Sequence, residues 1–289
     1  VWNKNKLGVL IIHVGALILL IGSGITSVFS KEGNMIIIEN EQSNYMHSFY
    51  YKEFTILNLD EYQDSIEVIN FNEKLFSNEQ ILSYSNLPFQ IKIEKYFINS
   101  KISPRENDDL LPLRGDAIKF ELKEKFPEKE MNENISGVMY QIISEDESVN
   151  GYYIYQLEQK MPEVITINNM SYALLLRPAR TYLPFEIKLE DFQKTMHPGT
   201  NIAKSFSSEI FLIEKETSRR ILIEMNAPLR YKGYTLYQAS FAELQDGREA
   251  TVLAVVQNYG RLFPYISSII MCIGVLLQMI IRIPGLMKK

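Results

Sequence analysis

The sequence predicts a membrane-anchored all-β protein, in which two transmembrane helices flank a large β-sandwich or open-barrel-like domain. Three observations predict it: an uncharged apolar run at each end, period-two alternation between them, and a composition rich enough in aromatics to build a core. Of 289 residues, 46% are hydrophobic and 11% aromatic, with 17 Tyr and 15 Phe. Such a chain can bury a core rather than stay disordered. There is no excess of Lys and Arg over the 35 acidic residues, so nucleic acid is not an expected partner. One cysteine excludes a disulfide framework, a multi-cysteine zinc site and an iron–sulfur cluster within one chain.

The first run, LGVLIIHVGALILLIGSGITSVF from Leu7 to Phe29, is long enough to span a hydrocarbon core. It follows Lys4 and Lys6 like a signal peptide, but the apolar core of a signal peptide is shorter and ends at a small-residue cleavage site, and this run is too long for one. The second run, PYISSIIMCIGVLLQMII from Pro264 to Ile281, is a shorter but adequate span. Lys4 and Lys6 precede the first; Arg282, Lys288 and Lys289 close the second. Taking these five from the 30 Lys and Arg leaves about 25 cations against 35 acids, so the middle carries about −10. The positive-inside rule then places both termini in the cytoplasm and the middle outside the cytoplasmic membrane. Trp2 suits the inner interface, and Tyr259, Phe263 and Tyr265 suit the outer one. The expected division is 1–30 for the cytoplasmic start and first helix, 31–260 for the extracytoplasmic domain, and 261–289 for the second helix and basic tail.

Between the spans, short β-branched and aromatic runs alternate with polar residues, the signature of half-buried strands. They begin with FTILNL at Phe54, SIEVINF at Ser65, FQIKIEKYFI at Phe89, AIKFELKEKF at Ala117, VMYQIIS at Val138, YYIYQLEQ at Tyr152 and EVITI at Glu163. YALLLRPA at Tyr172, FEIKLEDF at Phe185, SEIFLIEKE at Ser208, RILIEMN at Arg220, YTLYQASF at Tyr234 and ATVLAVVQ at Ala250 complete the set. In FEIKLEDF the alternation puts Phe185, Ile187, Leu189 and Asp191 on one face. About a dozen strands at regular spacing indicate a sandwich or open barrel. The stretch ENDDLLPLRG is read as one short helical turn.

Signatures of hydrolases, zincins and phosphate loops are missing. Asp108 and Asp109 read as solvated loop acids. His197, in MHPGT, reads as a turn residue, His47 as a residue just after the first strand region, and Cys272, inside the second span, as a small packing residue. His13 is different, because it sits roughly 9 Å into the first span at 1.5 Å per residue. A polar ring there costs free energy unless it has a partner or a task. Gly8, Gly15 and Gly22 recur every seven residues and form a stripe where another helix can approach closely. At 100° per residue His13 lies about 140–180° away from that stripe, with Leu17, Leu20 and Gly24. Two readings stand: a hydrogen bond to a neighbouring helix, or an axial ligand to haem iron through neutral imidazole. Gln278, at nearly the same depth on the second span, is placed to accept the imidazole Nδ1–H and fix its tautomer.

Two stretches carry a resemblance. FEIKLEDFQKTMHPGTNIAKSFSSEI is followed by IEMNAPLRYKGYTLYQASF. Within them His197, Pro198, Gly199, Ser205, Ser208, Asn226, Pro228, Tyr231, Lys232, Gly233, Tyr234, Tyr237, Gln238 and Ser240 resemble the pattern of the ResB (CcsB) family of cytochrome c biogenesis proteins, the System II pathway. HVGALILLIGSGITSVFSKEGNMIIIENEQS and NYGRLFPYI resemble the helix leading into that family's extracytoplasmic domain and the return to the membrane. Residues 50–160 are similar only in being strand-rich. Physically, Asn226, Pro228 and Gly233 make turns, and Tyr234 and Tyr237 give a cross-strand aromatic surface. Asn226, Pro228, Tyr231, Gly233, Tyr237 and Gln238 are thus read as fold-defining, or as docking surface for a partner.

The resemblance implies a bacterial inner-membrane subunit that works with a CcsA-type protein. Together they carry haem b, bound transiently, across the membrane and support its attachment to apocytochrome c. It implies a haem ligand at His13 and no catalytic residue in this chain. Haem, the CcsA-type protein, apocytochrome c and the lipid bilayer are the implied partners. The tryptophan-rich segment of the partner is absent here, Trp2 being the only Trp; the attachment chemistry is expected in the partner or in a C-terminal extension. Two further helices are expected before the first span, which implies a truncated or split chain, and Tyr259 stands where a proline is expected after Asn258. The alternative is a scaffold for the CcsA-type protein that ligates no haem. A two-span sensor lacks an output domain, and an extracytoplasmic enzyme lacks clustered acid, base or nucleophile motifs.

Overall fold

A computed structural model of the chain describes residues 6–59, 66–76, 79–106, 111–157, 159–200 and 203–286. Trp2, Lys4, Asp108, Asp109, Lys288 and Lys289 lie outside the described residues. The elements in chain order are α1 Leu7–Phe29, β1 Lys31–Ile38, β2 Gln42–Asn58, β3 Val68–Asn72, β4 Gln80–Leu82, β5 Phe89–Phe97, β6 Ser100–Pro104, β7 Phe120–Glu124 and β8 Gly137–Ser144. They continue with β9 Gly151–Gln156, β10 Glu163–Ile167, β11 Met170–Met196, β12 Ala203–Glu214, β13 Thr217–Glu224, β14 Leu229–Tyr231, β15 Tyr234–Glu243, β16 Glu249–Gln257 and α2 Phe263–Leu286. The protein is therefore mostly β-sheet between two apolar helices. Both are long and apolar enough to cross a membrane, over Leu7–Phe29 and Phe263–Ile283.

The segment 31–260 is divided between two units, Val1–Met46 with Leu183–Lys289, and His47–Tyr182. In the first, β16 lies between β1 and β15, β14 closes that row, and the second half of β11 pairs with β12, which pairs with β13; all these pairings are antiparallel. Its core holds Met35, Ile37, Phe185, Ile187, Leu236 and Leu253. In the second unit, β4–β5–β8–β9 form one antiparallel sheet, β6 and β7 a hairpin, and β3 pairs with β2 and β10 with β11. Phe54, Ile91, Ile93, Tyr140 and Leu174 are its buried centre. The β10–β11 hairpin turns on Asn168 and Asn169, both at positive φ (52° and 65°). Such a two-residue turn matches strand twist, and asparagine tolerates the left-handed region.

Alternation located the strands but not their lengths. YALLLRPA and FEIKLEDF, read as two strands, are one: β11 runs 27 residues through Pro178 and Pro184. Both prolines fall between its β10 partners (170–174) and its β12 partners (186–196). There, a missing N–H breaks neither ladder. The expected face of FEIKLEDF fails at Asp191. The β11–β12 register slips between Leu189 and Asp191, an extra residue that shifts the phase, and Phe192 rather than Asp191 is buried. Of ENDDLLPLRG, read as holding one helical turn, residues 107–110 lie outside the described residues; a short helical turn is found at Gly115–Ile118. It takes the first residues of what was read as a strand from Ala117, so β7 starts at Phe120. The strands β1, β4, β6 and β14 and the first half of β2 carry too little alternation to be read.

Across the first unit, three buried polar side chains from β12, β15 and β16 close a ring. The Ser208 hydroxyl donates to Gln238 Oε1 at 2.7 Å, Gln238 Nε2 donates to Thr251 Oγ1 at 2.9 Å, and the two hydroxyls lie 2.8 Å apart. The ring brings β12 against β15 and β16, strands that are not its ladder neighbours, so the sheet curls back on itself. Buried polar groups are tolerated when all are satisfied. Gln238→Leu should destabilise the full chain by about 1–3 kcal/mol, read as a lower thermal midpoint in detergent; an unchanged midpoint removes the ring as a clasp.

Candidate functional site

The two helices pack antiparallel through their glycines. A Cβ at Gly8 would lie 2.6 Å from Gln278 Cβ and from Gly274 O, one at Gly15 2.6 Å from Met271 Cγ, and one at Gly22 2.1 Å from Phe263 Cβ. The three glycines are the buried residues of α1. The seven-residue stripe is thus a helix contact, as its spacing predicts. Gly15→Leu should force the helices apart, at an overpacking cost of about 1–3 kcal/mol, and lower the thermal midpoint of the purified chain. Gly24→Leu, with nothing within 4 Å, should leave that midpoint unchanged; equal loss in both variants removes the stripe from the account.

On the other side of α1, His13 is exposed, as are Leu17, Leu20 and Gly24. Its Nδ1 lies 2.7 Å from the carbonyl oxygen of Val9, one turn back. A carbonyl only accepts, so Nδ1 carries the proton and Nε2 is the basic nitrogen, the form that binds a metal. Gln278 does not take the expected place beside the ring. Its Oε1 accepts the Val9 amide N–H at 3.2 Å, satisfying a donor of the first helical turn that has no intrahelical partner of its own. The reason is geometric: Gln278 packs on the glycine side, and His13 lies on the side away from it. The two side chains meet at Val9, not at each other. Cys272, read as a packing residue, is exposed on α2.

Where β16 passes into α2, Asn258 fixes the corner. Its Oδ1 accepts the Gly260 amide at 2.7 Å and the Thr26 hydroxyl at 3.0 Å. A Cβ at Gly260 would lie 2.1 Å from Thr26 Oγ1, so only glycine allows this approach. Asn258, Gly260 and Thr26 were not singled out individually from the sequence; the asparagine–glycine spacing across a strand–helix junction is the signal that marks them.

The remaining motif residues separate by face. Met225 and Asn226 form a two-residue turn, across which Glu224 and Ala227 exchange backbone hydrogen bonds of 3.3 and 3.1 Å. Pro228, which has no N–H to donate, follows it. Lys232 and Gly233, at φ 46° and 83°, turn β14 into β15. The Tyr231 hydroxyl and the Lys232 ammonium both donate to Glu214, and Tyr231 packs edge-on against Phe185 at 5.3 Å. Glu214 holds the Tyr231 phenol above its ordinary range by accepting its proton in a hydrogen bond. Tyr234 and Tyr237 do not share a surface: three residues apart on a strand they take opposite faces, Tyr234 at 6% exposure and Tyr237 at 40%. Gln238 belongs to the buried ring. Of the motif residues in the NAPLRYKGYTLYQAS stretch, Asn226, Lys232, Gly233, Tyr237 and Ser240 are at the surface.

His197–Thr200 is the expected turn, with Gly199 at φ 75° and the Thr200 amide donating to His197 O at 3.1 Å. His47 lies in the other unit, where burial and then the neighbouring Arg180 push its imidazole below the ordinary value. Among the described residues no three His, Cys, Asp or Glu side chains are grouped to hold a metal ion.

A model of the ResB-like family matches residues 3–98 and 142–248. The match includes α1 and the motif stretches, extends through 50–98 where the sequence resemblance was only to strand content, and leaves α2 outside. The chain is also similar to protein NrfI of Wolinella succinogenes, 21% identical over 271 residues. That alignment covers 91% of this chain and 26% of NrfI, so the chain spans about a quarter of the length of this relative.

Proposed function

The chain belongs to the ResB-like family, and from that premise we propose that it is a subunit of the System II cytochrome c synthase. In this reading α1 and α2 anchor it in the bacterial cytoplasmic membrane with both termini inside and the β units outside. The antiparallel helix pair supports this, since it brings both helix ends to one side. The chain works with a CcsA-type protein, carries haem b as cargo across the membrane, and presents it for attachment to apocytochrome c.

The observation that carries the reading is His13. An imidazole on an apolar exposed face, its Nδ1 proton engaged by Val9 and its Nε2 left basic, suits a haem that enters from a partner helix and leaves again. Gly24, on the same face, admits close approach of a flat or helical body. The chain's own part is to bind and orient; covalent attachment falls to the partner. The test is co-expression with the CcsA-type protein and an apocytochrome substrate. The pair should purify with a reduced-minus-oxidised haem signal, and omission of this chain should abolish holocytochrome formation. Holocytochrome yield that does not depend on the chain would refute the proposal.

A further inference from the structure

At the corner held by Asn258, a groove of about 620 Å³ opens between the last turns of α1 and the start of α2. That volume is within the range of small-ligand sites. Leu19, Leu20 and Pro264 give it apolar walls, and Thr26, Asn258 and Arg261 a polar end. Thr26 and Asn258 are occupied with each other. Arg261 is exposed and, among the described residues, makes no ion pair or hydrogen bond. It stands two residues ahead of α2, at the positive pole of that helix, where a cation gains nothing from the dipole. The guanidinium is therefore not there to stabilise the helix, and its charge is free for an anion from outside the chain.

An apolar groove with one unpaired cation at its mouth fits an amphiphile with an acidic head. The lining contains no imidazole, thioether or thiol, and the Tyr265 phenol is its one side chain of a type that ligates haem iron, so the free guanidinium rather than an iron ligand is the polar feature that sets the occupant. Tyr265, which lines the groove, and Tyr259, adjacent to Asn258 and Gly260 in sequence, are 68% and 61% exposed and are aromatic residues of the kind that sit at headgroup level. We infer that this groove binds an acidic phospholipid, its acyl chain along Leu19, Leu20 and Pro264 and its phosphate on Arg261, whose planar fork matches two phosphate oxygens. The inference rests on the reading of α1 and α2 as membrane spans, and not on haem ligation by His13.

The experiment uses the full chain. Alkaline carbonate extraction of membranes first tests the spans: release of the chain to the soluble fraction would overturn both readings. The chain is then purified in detergent, offered equal phosphatidylglycerol and phosphatidylcholine of matched acyl chains, and weighed intact by native mass spectrometry. One phosphatidylglycerol should be retained in preference, by about tenfold. Arg261→Gln should abolish the preference, Arg261→Lys should keep part of it, and Leu19→Trp should lose the lipid by filling the groove with the charge intact. Equal retention of both lipids in a chain that resists carbonate, an unaltered preference in Arg261→Gln, or one-for-one displacement by haem overturns the lipid site while leaving the membrane reading in place.

Discussion

On the proposed reading, His13→Ala should remove or shift the haem absorbance of the complex with the CcsA-type protein, and added imidazole should restore it. The expected effect is large because the proposed ligand bond to iron would be lost, and the neighbours of His13 on that face of α1, Leu17, Leu20 and Gly24, offer no ligand to replace it. The exposed position also makes the variant a clean one. Alanine in an exposed helical site costs little, and the glycine contact with α2 is on the other side. Protein level should therefore hold while the spectrum changes. Gln278→Leu provides the contrast. Because Gln278 satisfies Val9 N–H and not the ring, its loss should loosen the first turn of α1 and leave the haem spectrum in place. An unchanged spectrum in His13→Ala at normal protein level would move haem ligation to the partner and leave this chain as scaffold.

The helices were legible because an uncharged run and a glycine every seven residues are local signals, and the contact of Gly8, Gly15 and Gly22 with α2 follows from helical geometry alone. The same geometry placed His13 on the opposite side, yet Gln278 was still paired with it on depth alone. Depth along two helices says nothing of rotation about them, and rotation decided the outcome. The strands were legible where burial alternates, as in Phe185, Ile187 and Leu189, and lost phase at the Leu189–Asp191 bulge, because one extra residue is invisible without the partner strand. The division into two units was not legible, since β2 and β11 each run from one unit into the other with no break in composition. The Ser208–Gln238–Thr251 ring was out of reach for a related reason: three ordinary polar residues far apart in sequence become a clasp only once the sheet curls.

Arg177 illustrates the same limit with the largest expected effect on stability. In the sequence it is one cation in a strand-forming run. In the His47–Tyr182 unit its Nε donates to Glu53 Oε1 at 2.9 Å and its Nη2 to Asn70 Oδ1 at 3.2 Å, and the Thr55 hydroxyl donates to the same Asn70 oxygen at 2.9 Å. The Arg177 and Glu53 side chains are 11% and 8% exposed, so water screens the pair little. Arg177→Met keeps the apolar bulk but leaves the Glu53 carboxylate buried without its cation. Breaking such a pair from one side costs about 3–5 kcal/mol, because the remaining charge is uncompensated. That is a shift of about two to three and a half orders of magnitude in the unfolding equilibrium, and should appear as a lower denaturation midpoint of the full chain in detergent. The double variant Arg177→Met with Glu53→Met should recover most of the loss, since replacing a whole buried ion pair with packed apolar side chains is near neutral. The pair would then serve to select which strands meet, joining β2, β3 and β11, rather than to add net stability. A single variant that loses less than about 1 kcal/mol, the range of exposed pairs, would mean that water reaches Glu53 and that the three strands are held by Phe54, Ile56 and their apolar neighbours alone.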